Sequence, residues 1–460
     1  AVVLLTRAAS EQDLIEALEV WQQVDGRKAT PVTYADQKYH RWSKPGEGGD
    51  QEVQFYWTQG RTLCLSNSEK ALRKTIDFAS RSGPGSPGKK SLAESTPFRA
   101  AVSELAANVV AVAYLNPRAW DSQVERSADN RMFVELWHRC QSVVLSVALD
   151  PGIRVTENVR WRPTTAEVPA QPHGDGEPLA VARCLAGVPP EALLVACGKL
   201  RVAPDWIDRF VELIPPNDRR EIAGLRRVLR GLLLGFDLFS DVLPECQGNW
   251  SAFVVASDQK QSNRLPIDAA IRIPVPRDKR LSSDSSGTTV YNALDNALSA
   301  GANLLGAVRN AESTGPLVVL RQKGEGLDRV RWLDGLGICE PAYGWTDSAL
   351  YLATSPAVIR SWMDRAKSGQ PAGEVLRMSR SLPRDVDQAV LLNVRRVRSV
   401  LRDRQSFLVQ HLSARNPSKR QRVAGDLEAI ADMLRLLDFV YLTIRSSEES
   451  FEITFGGDLF

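Results

Sequence analysis

Histidine is scarce in this 460-residue chain, with four in all (His40, His138, His173 and His411), and methionine is as rare. No HxxxH pair, GxSxG elbow or Cys/His dyad occurs, so zinc and hydrolytic centres lack their usual parts. Glu135 and His138 have the ExxH spacing of helical di-iron sites. Such sites need it twice with two further carboxylates, so beside Trp137 and Arg139 a structural or surface histidine is expected. The six cysteines (Cys64, Cys140, Cys184, Cys197, Cys246, Cys339) form no CxxC pair, which argues against zinc ribbons and thioredoxin-like redox chemistry. Cys64 and Cys197 fall within apolar strand patterns, where a thiol is a small buried hydrophobe. Free buried thiols are therefore expected, although the even count also suits disulfides in an exported protein.

Neither basic nor acidic residues are in large excess. The net charge is +3, so no global attraction to nucleic acid or anionic membrane is implied. No apolar run approaches the ~20 residues of a membrane span, and no signal-peptide pattern is present. With 43% hydrophobic and 25% charged residues, the composition is that of an ordinary globular protein.

What the chain does have is repetition. Trp57-Thr58, Leu63-Cys64-Leu65-Ser66-Asn67-Ser68 and Asp77-Phe78-Ala79 return as Trp345-Thr346, Leu350-Tyr351-Leu352-Ala353-Thr354-Ser355 and Asp364-Arg365-Ala366. Around them two unit types alternate. Unit A, at 1–100 and 266–382, reads strand, helix, alternating strands, helix, with a Ser (Ser68, Ser355) at the last helix start, where a hydroxyl caps orphan amides. Unit B, at 108–162, 179–265 and 386–460, reads strand, helix, helix, strand, strand, the last strand of the second copy being shared with unit A. Ser146 to Val155 carries a Pro151-Gly152 turn, and Ile444 to Ile453 matches its spacing. The expected domains are a first module at 1–162, a Pro- and Gly-rich linker at 163–178, and a second module at 179–460. The order A-B-B-A-B suggests a B-A-B module in tandem whose first B precedes Ala1, which implies roughly 80 further residues plus an export signal. The expected fold class is α+β, with duplicated modules of antiparallel or mixed sheets and helices packed on one side.

The segment Gly235-Phe236-Asp237-Leu238-Phe239-Ser240-Asp241-Val242-Leu243-Pro244-Glu245 resembles the "dL..DvLPwlG" signature of an uncharacterised bacterial domain-of-unknown-function family. Leu185-Ala186-Gly187-Val188-Pro189-Pro190 and Ser91-Leu92-Ala93-Glu94-Ser95-Thr96-Pro97-Phe98 match it as well, whereas Cys246-Gln247 departs from it and Gly248 is displaced. The resemblance implies an exported or membrane-anchored protein and brings no catalytic residues.

Gly83 to Ser91 nearly spells a phosphate-binding loop. A helix pattern precedes it, Lys90 stands where the Mg²⁺-binding hydroxyl belongs, and the other unit A has no lysine there, so a connector is the better account. Ser86 and Lys89 have the SxxK spacing in a Gly/Pro loop that cannot bury the lysine. Trp57, Trp120, Trp206 and Trp345 recur with the units and are read as core anchors.

No catalytic, cofactor-binding or metal residues are assigned, and no cofactor is expected. The function expected is non-enzymatic: a periplasmic, envelope-associated or secreted protein that binds a protein or another envelope macromolecule. The partner surface expected is the basic stretch Arg395, Arg396, Arg398, Arg402, Arg404, Arg415, Lys419, Arg420 and Arg422. The alternatives are an enzyme or small-ligand binder with its site in the cleft between modules, with Asp205, Asp208, Glu340 and Asp347 as candidate acids, and nucleic-acid binding through 395–422.

Overall fold

The computed structural model describes residues 3–8, 10–25, 28–44, 52–81, 94–103, 105, 108–127, 131–149, 152–161, 181–202, 207–208, 211, 214, 216–257, 266–281, 287–312, 315–324, 329–368, 373–380, 382–383, 386–413, 416–447 and 450–459. The chain divides into two compact units, 1–163 with 449–454, and 164–448 with 455–460. The 163–178 linker and the loop at 83–91 lie outside the described residues.

In the first unit the order is β1 (Val3–Arg7), α1 (Glu11–Asp25), β2 (Lys28–Tyr34), β3 (Gln37–Lys44), β4 (Glu52–Gln59), β5 (Thr62–Ser66) and α2 (Glu69–Arg81). Then follow α3 (Thr96–Val102), β6 (Val109–Leu115), α4 (Asp121–Ser127), α5 (Arg131–Arg139), β7 (Cys140–Ala148) and β8 (Ile153–Trp161). The described pairings give the sheet order β2-β3-β4-β5-β1-β6-β7-β8, all antiparallel. Ser68 caps α2 as expected, its Oγ accepting the Ala71 amide at 3.3 Å.

The second unit holds α6 (Val181–Cys184), β9 (Leu194–Leu200), α7 (Pro216–Leu232), β10 (Gly248–Ala256), β11 (Ile267–Pro274), α8 (Val290–Glu312), β12 (Val319–Lys323), β13 (Val330–Asp334), β14 (Ala342–Trp345) and β15 (Ala349–Ala353). It continues with α9 (Pro356–Ser368), α10 (Gly373–Ser379), β16 (Gln388–Leu392), α11 (Val394–Asp403), α12 (Gln405–Leu412), α13 (Arg420–Met433) and β17 (Leu437–Ser446), and β18 (Ser450–Leu459) is divided, 450–454 belonging to the first unit and the rest to the second. Its pairings run β12-β13-β14-β15-β11-β10-β9-β16-β17, again antiparallel throughout. From β1 to α2 and from β11 to α9 the element order and the pairing order are the same. No helix among the described residues is long and apolar enough to cross a membrane.

The helices do not pack on one side, which corrects the expected layering. In β15 the consecutive residues Ala349, Leu350 and Tyr351 are all buried, which requires cover on both faces. Leu350 joins a cluster with Val290 and Ala293 of α8, whereas Tyr351 joins one with Ile359, Trp362 and Met363 of α9. The first unit is built likewise: Leu63 and Tyr56 pack under α1 with Leu14 and Leu18, and Cys64 packs under α2 with Leu72 and Ile76.

Two of the expected tryptophan anchors are in the core, at Trp57 and Trp345. They do not occupy equivalent places. Trp57 stands opposite Cys64 on the α2 face, while Trp345 stands opposite Leu350 on the α8 face. Trp120 is 42% exposed and is no core anchor, because it sits at the end of a short 3-10 turn over 117–120. Trp206 lies outside the described residues.

Candidate functional site

The basic stretch divides into engaged and exposed residues. The Arg395 guanidinium donates to Asp438 on β17, with Nη2 to Oδ2 at 2.7 Å. Arg398 Nη1 donates to the Leu434 and Arg435 carbonyls at 3.4 and 3.2 Å, where a cation satisfies carbonyls beyond the end of α13. Arg404 donates to the Ser257 carbonyl. Arg395 thus ties α11 to β17, and Arg398 ties it to the turn after α13. Arg396, Arg402, Lys419, Arg420 and Arg422 are exposed, and Arg415 lies outside the described residues. Acidic Asp403, Asp426 and Glu428 stand exposed among them, so the strip is of mixed sign.

The described candidate acids have separate partners. Asp208 pairs with Arg226 at 2.6 Å, and Asp347 is 82% exposed, 3.7 Å from Arg277. Glu340 is half-buried on a connection whose amide bonds Thr354, and Asp205 is not described. Among the described residues no group of three or more His, Cys, Asp or Glu could hold a metal. His138 faces Glu125 at 3.1 Å and Arg118 at 3.4 Å, which accounts for it without a metal, and His40 stacks on Tyr56 with centroids 4.6 Å apart.

Three polar networks went unread in the sequence. In the first, β13 and β14 place Arg331 opposite Tyr343, and α8 presents Asp295 and Ser299 one turn apart over the same face. Arg331 Nη1 donates to Asp295 Oδ1 and Oδ2 (2.9 and 3.0 Å), Ser299 Oγ (2.8 Å) and Tyr343 Oη (2.9 Å). Trp345 Nε1 donates to Asp295 Oδ1 at 3.0 Å. Burial works against the Arg331 charge, yet the Tyr343 and Asp295 bonds outweigh it and hold its pKa above the ordinary value. The Nη1 donors are fully taken up, so the network is a strut between helix and sheet. In the first unit, the same cross-strand position holds His40 opposite Tyr56, whose hydroxyl accepts from Gln22 of α1 at 3.1 Å. Burial lowers the His40 pKa and raises that of Tyr56.

The second network is built on Asp237, 1% exposed, within the 235–245 segment. Its Oδ1 accepts the Phe239 and Ser240 amides (2.9 and 3.2 Å), capping the single π-turn at 238–242. Its Oδ2 accepts from Arg226 Nε at 3.0 Å and Arg230 Nη2 at 3.1 Å, two residues one turn apart on α7. Burial alone would push this carboxyl up, but Arg226 and the two amides outweigh it and hold the pKa at about 2.

In the third, Asp387 accepts from Lys199 Nζ (3.2 Å) and from the Ser446 amide (2.8 Å), joining β9 to β17 across the start of β16. Burial again opposes ionisation, but the Ser446 and Lys199 bonds bring the Asp387 pKa below its usual range.

None of the six thiols is in a disulfide, and all but Cys339 are buried. Cys184 and Cys197 are hydrogen-bonded neighbours in a small cluster with Val386 and Ala389. The Cys184 pKa is lowered by that bond to Cys197, while Cys197 is raised by the same bond and by burial.

Fold and networks together define an α+β chain whose described polar clusters are ties between elements. The chain matches no protein-family model, no curated protein and no solved structure.

Proposed function

We propose that this chain is a non-enzymatic binding protein of the cell envelope or exterior, made of two copies of one module, and that its partner is a polypeptide. The duplication reading is supported by the shared element and pairing order of the two stretches. The envelope reading is supported by the resemblance of the 235–245 segment.

One observation carries the binding reading. In the second unit, Asn310 of α8 holds the backbone of Val318 from both sides, at 3.0 and 2.7 Å, fixing the helix beside β12. Leu304, Leu305 and Val308 of α8, with Leu317 and Val319, are all exposed there. Among the described pairings β12 bonds only β13, so its other edge is open. Grouped exposed apolar side chains mark interaction surfaces, and an open strand edge can take a partner strand through main-chain bonds.

The test is capture from envelope extracts by tagged full-length protein, read by quantitative mass spectrometry, against Leu304→Glu and Leu317→Glu variants of unchanged thermal stability. The expected outcome is one stoichiometric polypeptide retained by the parent and reduced at least roughly tenfold by either variant. Capture that both variants leave intact, or no partner at all, contradicts the proposal.

A further inference from the structure

The two units differ at one place in their sheets. In the second, β11 pairs with β10 from Ser251↔Arg272 to Ala256↔Ile267, and β9 pairs onward with β16 from Gln388↔Gly198 to Leu392↔Leu194. Two strands thus stand between β11 and β16. Their counterparts by order and pairing in the first unit, β1 and β6, are neighbours that share a single paired position, Thr6↔Ala111, with Thr6 Oγ1 donating to the Val110 carbonyl at 3.2 Å. Interior strands ordinarily pair along their length, because an unpaired N–H or C=O away from water costs a hydrogen bond's worth of free energy.

The side chains tell the same story. Leu5 lies opposite Cys64 on the α2 face and Leu4 opposite Leu65 on the α1 face, and they are 49% and 36% exposed. Val3 is exposed as well, whereas Ala270, at its register position on β11, is 5% exposed. The difference is cover. One face of β11 joins a cluster with Phe253 and Val255 of β10 and with Leu185 and Val188 ahead of β9. The other face borders a cluster containing Leu233, Val242 and Cys246, which follow α7. The clusters of the first unit draw on no such elements. Ile15, Trp21 and Val24 of α1 are also exposed, while α8 packs against α7.

We propose that the β1/β6 junction of the first unit receives a polypeptide segment of strand–helix–strand form, entering β1 from its N-terminal side as β10 enters β11. One strand pairs antiparallel with β1, the other with β6, and the helix lies along α1. The inference rests on the reading of the chain as two copies of one module. Insertion requires β1 and β6 to part by two strand spacings, about 10 Å. Among the described residues one bridge and the Thr6 Oγ1 hydrogen bond have to break, while three apolar side chains gain cover at about 25 cal/mol per Å².

The test compares hydrogen exchange, by mass spectrometry, in the full chain and in the full chain extended at its N-terminus by a second copy of residues 179–265 as the probe segment. In the chain itself, amides of β1 and β6 are expected to exchange at least roughly tenfold faster than those of β11 and β16. In the extended chain they slow by a similar factor and the protein binds less of a hydrophobic dye; Leu5→Lys in the extended chain reverses both. Equal protection of β1 and β11 in the chain itself overturns the proposal, as does unchanged exchange after extension, whether or not the added copy is itself protected. Cross-linking of positions 4 with 65 and 271 with 352 separates the two readings: if both pairs join while exchange is unmoved, the module reading stands and the occupant is wrong.

Discussion

At the scale of single residues, Asp237 shows how the 235–245 segment is held. Its carboxylate caps a turn and neutralises two arginines, its amide bonds Asp241 at 2.7 Å, and Val242 and Pro244 fill the core beneath. The segment could be picked out in the sequence, but its partners Arg226 and Arg230 could not, because only the fold brings α7 back over it. Removing the charge leaves two guanidinium groups facing a buried neutral side chain. Asp237→Asn should therefore lower stability by about 3 kcal/mol in urea unfolding. The pH dependence follows from the sign of the shift. The folded pKa, about 2, lies below the ordinary 3.8, so this contribution is complete above about pH 4 and fades as pH falls towards 2. A parent whose stability is flat from pH 5 to pH 2, or equals that of the asparagine variant at neutral pH, would contradict this.

Elements expose what pattern reading gets right and where it slips. In both A stretches the helices and three of the four strands after the first helix were legible, since β5 and β15 are short apolar runs followed by a Ser and an amphipathic helix, whereas β2 and β14 went unread. The register was not. The interval from Trp57 to Leu63 is one residue longer than that from Trp345 to Leu350, and a one-residue offset moves a side chain to the other face. The two tryptophans match in sequence and part company in space for that reason. Helices on both faces were also missed, because the alternation that separates a half-exposed strand from a fully covered one is hard to see over five residues. Close approaches are likewise invisible in sequence. Gly187 has φ +74°, and a Cβ there would lie 2.8 Å from the Ala366 amide nitrogen of α9 and 3.0 Å from Trp362 Cδ1. Gly187→Ala should cost on the order of 3 kcal/mol, through backbone strain and displacement of α9 from the α6 end. Unfolding in urea measures this, and a variant within about 0.5 kcal/mol of the parent would refute the packing described.

On the scale of the whole molecule, the composition already spoke against a large charge-driven role, and the folded chain distributes its charges as ties. The basic run at 395–422 looked continuous because sequence hides which arginines turn inward; Arg398 and Arg404 do, and Arg395 pairs with Asp438. The apolar surface of α8 and β12 escaped notice for the opposite reason, since an apolar residue in an amphipathic helix is assigned to the core until packing shows otherwise. What joins these observations is the proposed descent of both stretches from one module. Its most direct test is paired-cysteine cross-linking in the full chain, with Leu4→Cys/Leu65→Cys in the first unit and Ile271→Cys/Leu352→Cys in the second, mapped by peptide mass spectrometry. These are facing pairs at the same register position of the two sheets, and facing Cβ atoms stand about 5 Å apart. The account predicts that both pairs join readily under mild oxidation; a second unit that cross-links while the first does not would contradict it.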